Sequence, residues 1–153
     1  MCLKIKKRKQ QTASHPITVY KIVIQIDNDY YTPDYYTPYT YTPILPEALQ
    51  GLVPFEAKGK AHVIKDGLAF MVSKGTIHTH ANASEAFYIA DFLNRKSSEH
   101  HIVYECEIPK GVKYYKGKGE SDFNEYASKQ IRFVKRLQSP YEPKPIQSEL
   151  ELC

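Results

Sequence analysis

Residues His100 to Gly119 read HHIVYECEIPKGVKYYKGKG, and this stretch decides what kind of fold the chain can adopt. Ile102, Tyr104, Cys106 and Ile108 alternate with His101, Val103, Glu105 and Glu107, the period of two that a half-buried strand requires. Pro109 cannot donate to a ladder, and Lys110-Gly111 supplies a turn with a residue free to take positive φ. Val112 to Lys116 then resumes an extended, tyrosine-rich pattern. The stretch is a strand, a sharp stop and a second strand, with no catalytic motif in it.

Upstream, Thr18 to Ile26 predicts a strand of the same kind. Tyr20, Ile22, Ile24 and Ile26 share one face, and Val19, Lys21, Val23 and Gln25 the other. The expected core sets the Tyr20–Ile26 face inward beside Ile102, Tyr104, Cys106 and Ile108. Lys60 to Lys65 and Leu68 to Val72 flank Asp66-Gly67, a turn pair that predicts a hairpin. Ser73-Lys74-Gly75 leads into a short strand over Thr76 to His80, with Thr76, His78 and His80 on one face. From Asn82, Glu85 and the stripe Ala86, Ile89, Ala90 and Leu93, widened by Phe87, predict a capped helix to about Lys96. Ser121 to Leu137 fits helical spacing through Phe123, Tyr126, Ala127, Ile131 and Val134, or an edge strand over Gln130 to Val134. A short helix or turn to about Ala127, followed by a strand, is the expectation.

A repeat interrupts this pattern. Tyr31-Thr32-Pro33, Tyr36-Thr37-Pro38 and Tyr41-Thr42-Pro43 recur every five residues. Proline at that spacing excludes a regular helix and a central strand, so 30–46 is expected to be an extended insertion at the domain edge. Its rings offer a contact surface to a partner or lie over the domain as an aromatic flap.

A chain of 153 residues has room for one domain with one sizeable core. The expected fold class is α+β: residues 15–137 form a mixed or mainly antiparallel sheet of about six strands with one main helix packed on it. Residues 1–14 are a basic arm and 138–153 an extended tail. The net charge of +4 gathers at Lys4, Lys6, Lys7, Arg8 and Lys9, and the remainder is close to neutral. A domain-wide nucleic-acid surface is therefore not indicated. A local one is open through Lys110, Lys113, Lys116 and Lys118, with Tyr114 and Tyr115 among them. Three cysteines, Cys2, Cys106 and Cys153, lie far apart with no C-x-x-C, which leaves zinc knuckles and disulfide frameworks unsupported. No run approaches the ~20 apolar residues of a membrane span. The expected location is the cytoplasm of a bacterial host or the inside of an assembled particle.

His78 and His80 are the best metal candidates, with His62, His100 or His101 to complete a site, but no spacing is diagnostic and no metal is expected. No phosphate-cradling, Ser-His-Asp or Cys-His pattern occurs.

Gly75-Thr76-Ile77-His78, the helix from Asn82, Ile108 to Gly117 and Glu125-Tyr126-Ala127-Ser128 resemble small uncharacterised bacteriophage and gut-bacterial proteins that share G-x-H and I-P-K-G-x-x-Y-Y-x-G segments. The element order is also similar to the ADP-ribosyltransferase fold. That resemblance implies a ligand site at Lys21, Thr76, His78, His80 and Gln130, each departing from the family pattern. An amide at Gln130 does not supply the carboxylate that the transferase needs. The expected function is that of a non-enzymatic, phage-type accessory or particle-associated protein. It would act through protein contacts of its ends and tyrosine segment, with Tyr31, Tyr36, Tyr41, Lys6, Lys7 and Arg8 as contact residues and no cofactor. The alternatives are an ADP-ribosyltransferase-like or degenerate nucleotide-binding protein, and a nucleic-acid binder.

Overall fold

The computed structural model describes residues 3–5, 10–29, 31–66, 69–119 and 122–141. The first half of the chain supplies strands β1 (Leu3–Ile5), β2 (Gln11–Thr12), β3 (Ile17–Ile26), β4 (Asp34–Tyr36), β5 (Phe55–Glu56), β6 (His62–Asp66) and β7 (Ala69–Lys74). The second half supplies β8 (Ile77–His80), β9 (His100–Ile108), β10 (Lys113–Lys118), β11 (Asn124–Ser128) and β12 (Gln130–Leu137). Helices α1 (Pro46–Leu49) and α2 (Ala83–Lys96) complete the fold. Among the described residues, all twelve strands join one antiparallel sheet that curls into a half-barrel. Its path runs β5-β12-β9-β3-β8-β11-β10-β1-β7-β6, with β2 added on β10 and β4 on β3.

This overturns the expectation of about six strands under one main helix. The missing strands are short. Those of two or three residues, β1, β2, β4 and β5, carry no readable alternation and are defined only by their neighbours. At β11 the spacing of Phe123, Tyr126 and Ala127 imitates a helix, but Glu125 and Ala127 are buried and pair with His80 and His78. Tertiary pairing, not local periodicity, settles that segment as a strand.

The quoted stretch holds its place at the centre. β9 pairs with β3 over nine residues, from Ile17↔Ile108 to Gln25↔His100, and with β12 on its other edge. Antiparallel partners point the same way, so Val19 stands with Cys106, whereas Ile22 stands with Val103. The single inward set expected from the sequence is therefore divided between two faces. Val19, Val23, Ile102, Cys106, Ile108, Ile131 and Phe133 form the main core on one face, closed by Ala48 of α1. Ile22 and Val103 meet Ala86, Phe87 and Ala90 of α2 on the other. Two alanines bring α2 close to the sheet. Ile26, expected inward, is 41% exposed because the strand there runs past the helix and the core.

Two further expectations also change. Leu3 and Ile5 are buried with Val72, Tyr115 and Ala127, so β1 is an interior strand between β10 and β7. Each such burial is worth about 1.5–3 kcal/mol, which outweighs the basic character of the neighbouring sequence. The Tyr-Thr-Pro repeat is not wholly irregular: β4 pairs with Ile24, Gln25 and Ile26, and Thr37 to Thr42 closes as a tight turn. The prolines fall off the ladder, Pro33 before β4, Pro38 in the turn and Pro43 in an isolated bridge to Tyr36. Among the described residues, no helix is long and apolar enough to cross a membrane.

Candidate ligand-binding site

β3 is fully paired with β9 on one edge, but its other edge is shared. Tyr20 pairs with His80 of β8, and Ile24 to Ile26 pair with β4. Lys21, Ile22 and Val23 lie between these two ladders, where β8 and β4 diverge. That gap opens a cavity of about 630 Å³. Its polar side is made by Lys21, Thr76, His78 and His80, and its apolar walls include Leu45, Val53, Phe55, Ile77 and Leu93. The turn at Thr37 to Thr42 forms a further wall. There Tyr39 and Tyr41 hold φ of 67° and 52°, a left-handed conformation costing about 1–2 kcal/mol for a residue with a Cβ. Hydroxyl contacts from Thr37 to Thr40 (2.9 Å) and from Thr40 to Thr42 (3.1 Å) hold the turn in that shape. The Tyr41 hydroxyl donates to Glu99 beyond the end of α2.

Lys21 is buried, and its Nζ donates to the His78 carbonyl at 3.1 Å, reaching across the strand divergence. Burial lowers its pKa to about 8, against the opposing attraction of Cys106 and Glu125. Burial first and the Lys21 charge second lower His78 to about 3 and His80 to about 4, so both imidazoles are neutral at physiological pH. Their Nδ1 atoms and the Thr79 hydroxyl are buried without a hydrogen-bond partner in the protein. Thr76 stands 3.4 Å from His78 Nε2. Burial also raises the Cys106 thiol well above its usual range, which makes it an inert part of the core.

Four of the five residues suggested by sequence, Lys21, Thr76, His78 and His80, therefore line one cavity. Gln130 does not; it sits opposite Glu56 on β12 and lines a neighbouring opening with Gly75 and Lys129. Of the contact tyrosines, Tyr31 is 80% exposed, Tyr36 is half-buried in β4 and Tyr41 is at the turn. Lys6, Lys7 and Arg8 lie outside the described residues. The lysine series does not converge: Lys116 and Lys118 share a face of β10, with Lys4 opposite Lys118, while Lys113 points to the other face. Among the described residues, no group of three or more His, Cys, Asp or Glu could hold a metal ion.

Nothing in the sequence singles out Tyr39, Leu45, Val53 and Phe55 as site residues, and the spacing that predicts a short helix or turn hides the strand position of Glu125. Only the unequal pairing of β3 brings the first four together, and no spacing in the chain announces it. Comparison with family models, curated proteins and solved structures gives no match.

Proposed function

We propose that the protein is a non-catalytic binding module whose cavity between β8 and β4 takes a small, largely apolar molecule. The observation carrying this reading is the cavity itself, about 630 Å³, a size typical of small-molecule sites, with apolar walls and a few convergent polar groups. The two histidines suit recognition better than proton transfer. Histidines that remain neutral down to about pH 3 and 4 are weak bases, far from the near-neutral values that favour general acid–base catalysis. The tyrosine segment keeps a contact role, as a wall of the site. A second reading, contact with a protein partner, is favoured by the 80% exposure of Tyr31 outside that wall.

Titration with the neutral fluorophore N-phenyl-1-naphthylamine tests the first reading. Saturable one-to-one binding is expected, and Ala57→Trp, which fills the cavity from its wall, should abolish it while leaving the melting transition cooperative. Unchanged binding by that variant would place the probe elsewhere and refute the reading. Hydrolysis of NAD by the purified protein would refute its non-catalytic part.

A further inference from the structure

Resting on the reading of the cavity as a binding site, we infer that its occupant carries an anionic head, a carboxylate, sulfonate or phosphate, set against the Lys21 ammonium. A flat or aliphatic body lies along the apolar walls. Lys21 is 7% exposed and belongs to the stretch of β3 that is paired on its β9 edge alone, so its charge is delivered into the cavity and not to bulk water. An ammonium has three donors, and the His78 carbonyl takes one of them. A buried charge is costly unless it is paired and hydrogen-bonded, and an anion in the cavity supplies both.

The neighbouring charges do not replace that anion. Glu125 attracts Lys21, but its carboxylate lies against Gly119 at the end of β10, on the side of β11 away from β8 and β3. Glu56 and Lys58 are exposed at the rim and of opposite sign, so they leave little net charge there. A second, independent group points the same way. His80 is 4% exposed, lines the cavity and keeps a buried Nδ1 without a partner in the protein. A neutral imidazole can turn an N–H toward an anion beside the lysine. At pH 7 a lysine titrating near 8 is about nine-tenths protonated, which keeps the cation in place.

The test uses two fluorophores of matched shape, 1-anilinonaphthalene-8-sulfonate and its neutral counterpart N-phenyl-1-naphthylamine, titrated into the full chain. The inference expects the sulfonate to bind about tenfold tighter, the effect of one charge-assisted hydrogen bond. Lys21→Met should bring the ratio to about one while the neutral probe still binds, and Lys21→Arg should retain part of the preference. Displacement of the sulfonate by decanoate assigns the natural head to a carboxylate on an aliphatic body, and displacement by AMP to a nucleotide phosphate. Either result supports the inference, and displacement by neither overturns it. Equal affinity of the two probes for the unmodified protein overturns the anionic head alone. Failure of both probes to bind overturns the binding reading beneath it.

Discussion

Mild acid should destabilise this protein well before its carboxylates titrate. His80 is 4% exposed and His78 is half-buried, and their folded pKa values lie near 3 and 4 against 6.5 for a free imidazole. Below pH 6.5 the unfolded chain takes up two protons that the folded chain refuses, so stability falls as pH falls and levels off only near the folded values. Each histidine contributes about 1.4 kcal/mol per pH unit inside that window. Between pH 6 and pH 5 most of that slope is realised, and the pair removes about 2.5 kcal/mol, a large share of the 5–15 kcal/mol of an ordinary domain. Burial also lowers His101, which adds to the same trend. Urea unfolding followed by circular dichroism, repeated at half-unit pH steps, measures this directly. With a slope of about 1–3 kcal/mol/M, the midpoint should drop by roughly 1–2 M between pH 6 and pH 5. The double variant His78→Gln, His80→Gln should flatten most of the drop. A midpoint that stays constant across this range in the unmodified protein would show that both imidazoles accept protons in the folded state, and the buried site would be wrong as described.

Other expectations follow from the packing. Phe133 is 1% exposed, meets the Tyr104 ring edge-on at 5.4 Å and lies 6.1 Å from Phe55, so Phe133→Ala should cost about 3–5 kcal/mol in urea unfolding; a loss under about 1 kcal/mol would contradict the core. A Cβ at Gly117 would collide with the Lys4 carbonyl, whereas one at Gly111 meets nothing within 4 Å. Gly117→Ala should therefore loosen β1 from β10 and lower amide protection at Leu3 to Ile5, while Gly111→Ala, at φ +87°, costs about 1 kcal/mol of backbone strain alone. Equal effects of the two would refute the close approach of the strands. Leu3→Asp should lower the melting temperature by about 10 °C, since burying an unpaired charge at a fully enclosed position costs several kcal/mol and each kcal/mol is worth about 2–4 °C at this size; an unchanged melt would return the first residues to the status of a free arm.

The long elements were legible because they carry their own pattern. Alternation over Thr18 to Ile26 and His100 to Ile108 announces the central ladder, and Asn82 to Lys96 announces α2 with its small-residue stripe. The side to which each strand turns was less legible. β3 and β9 are apolar on both faces, and alternation does not say that Ile22 meets a helix while Val19 meets Cys106. The strand count was hidden for another reason: β1, β2, β4 and β5 are too short for any period and exist because longer neighbours offer them hydrogen bonds. Lys21, Thr76, His78 and His80 were legible as polar residues on strands. That they share a cavity depends on where β3 exchanges β8 for β4, a property of the pairing and not of any one segment.

The central claim is that the gap between β8 and β4 is the binding site. Two-dimensional NMR of the isotope-labelled chain, titrated with 1-anilinonaphthalene-8-sulfonate, tests it most directly. The predicted result is a set of shift changes confined to Lys21 to Val23, Thr37 to Thr42, Val53 to Lys58 and Thr76 to His80, saturating together. Shift changes centred instead on the lysines of β10, or no saturable change in those four segments, would contradict it.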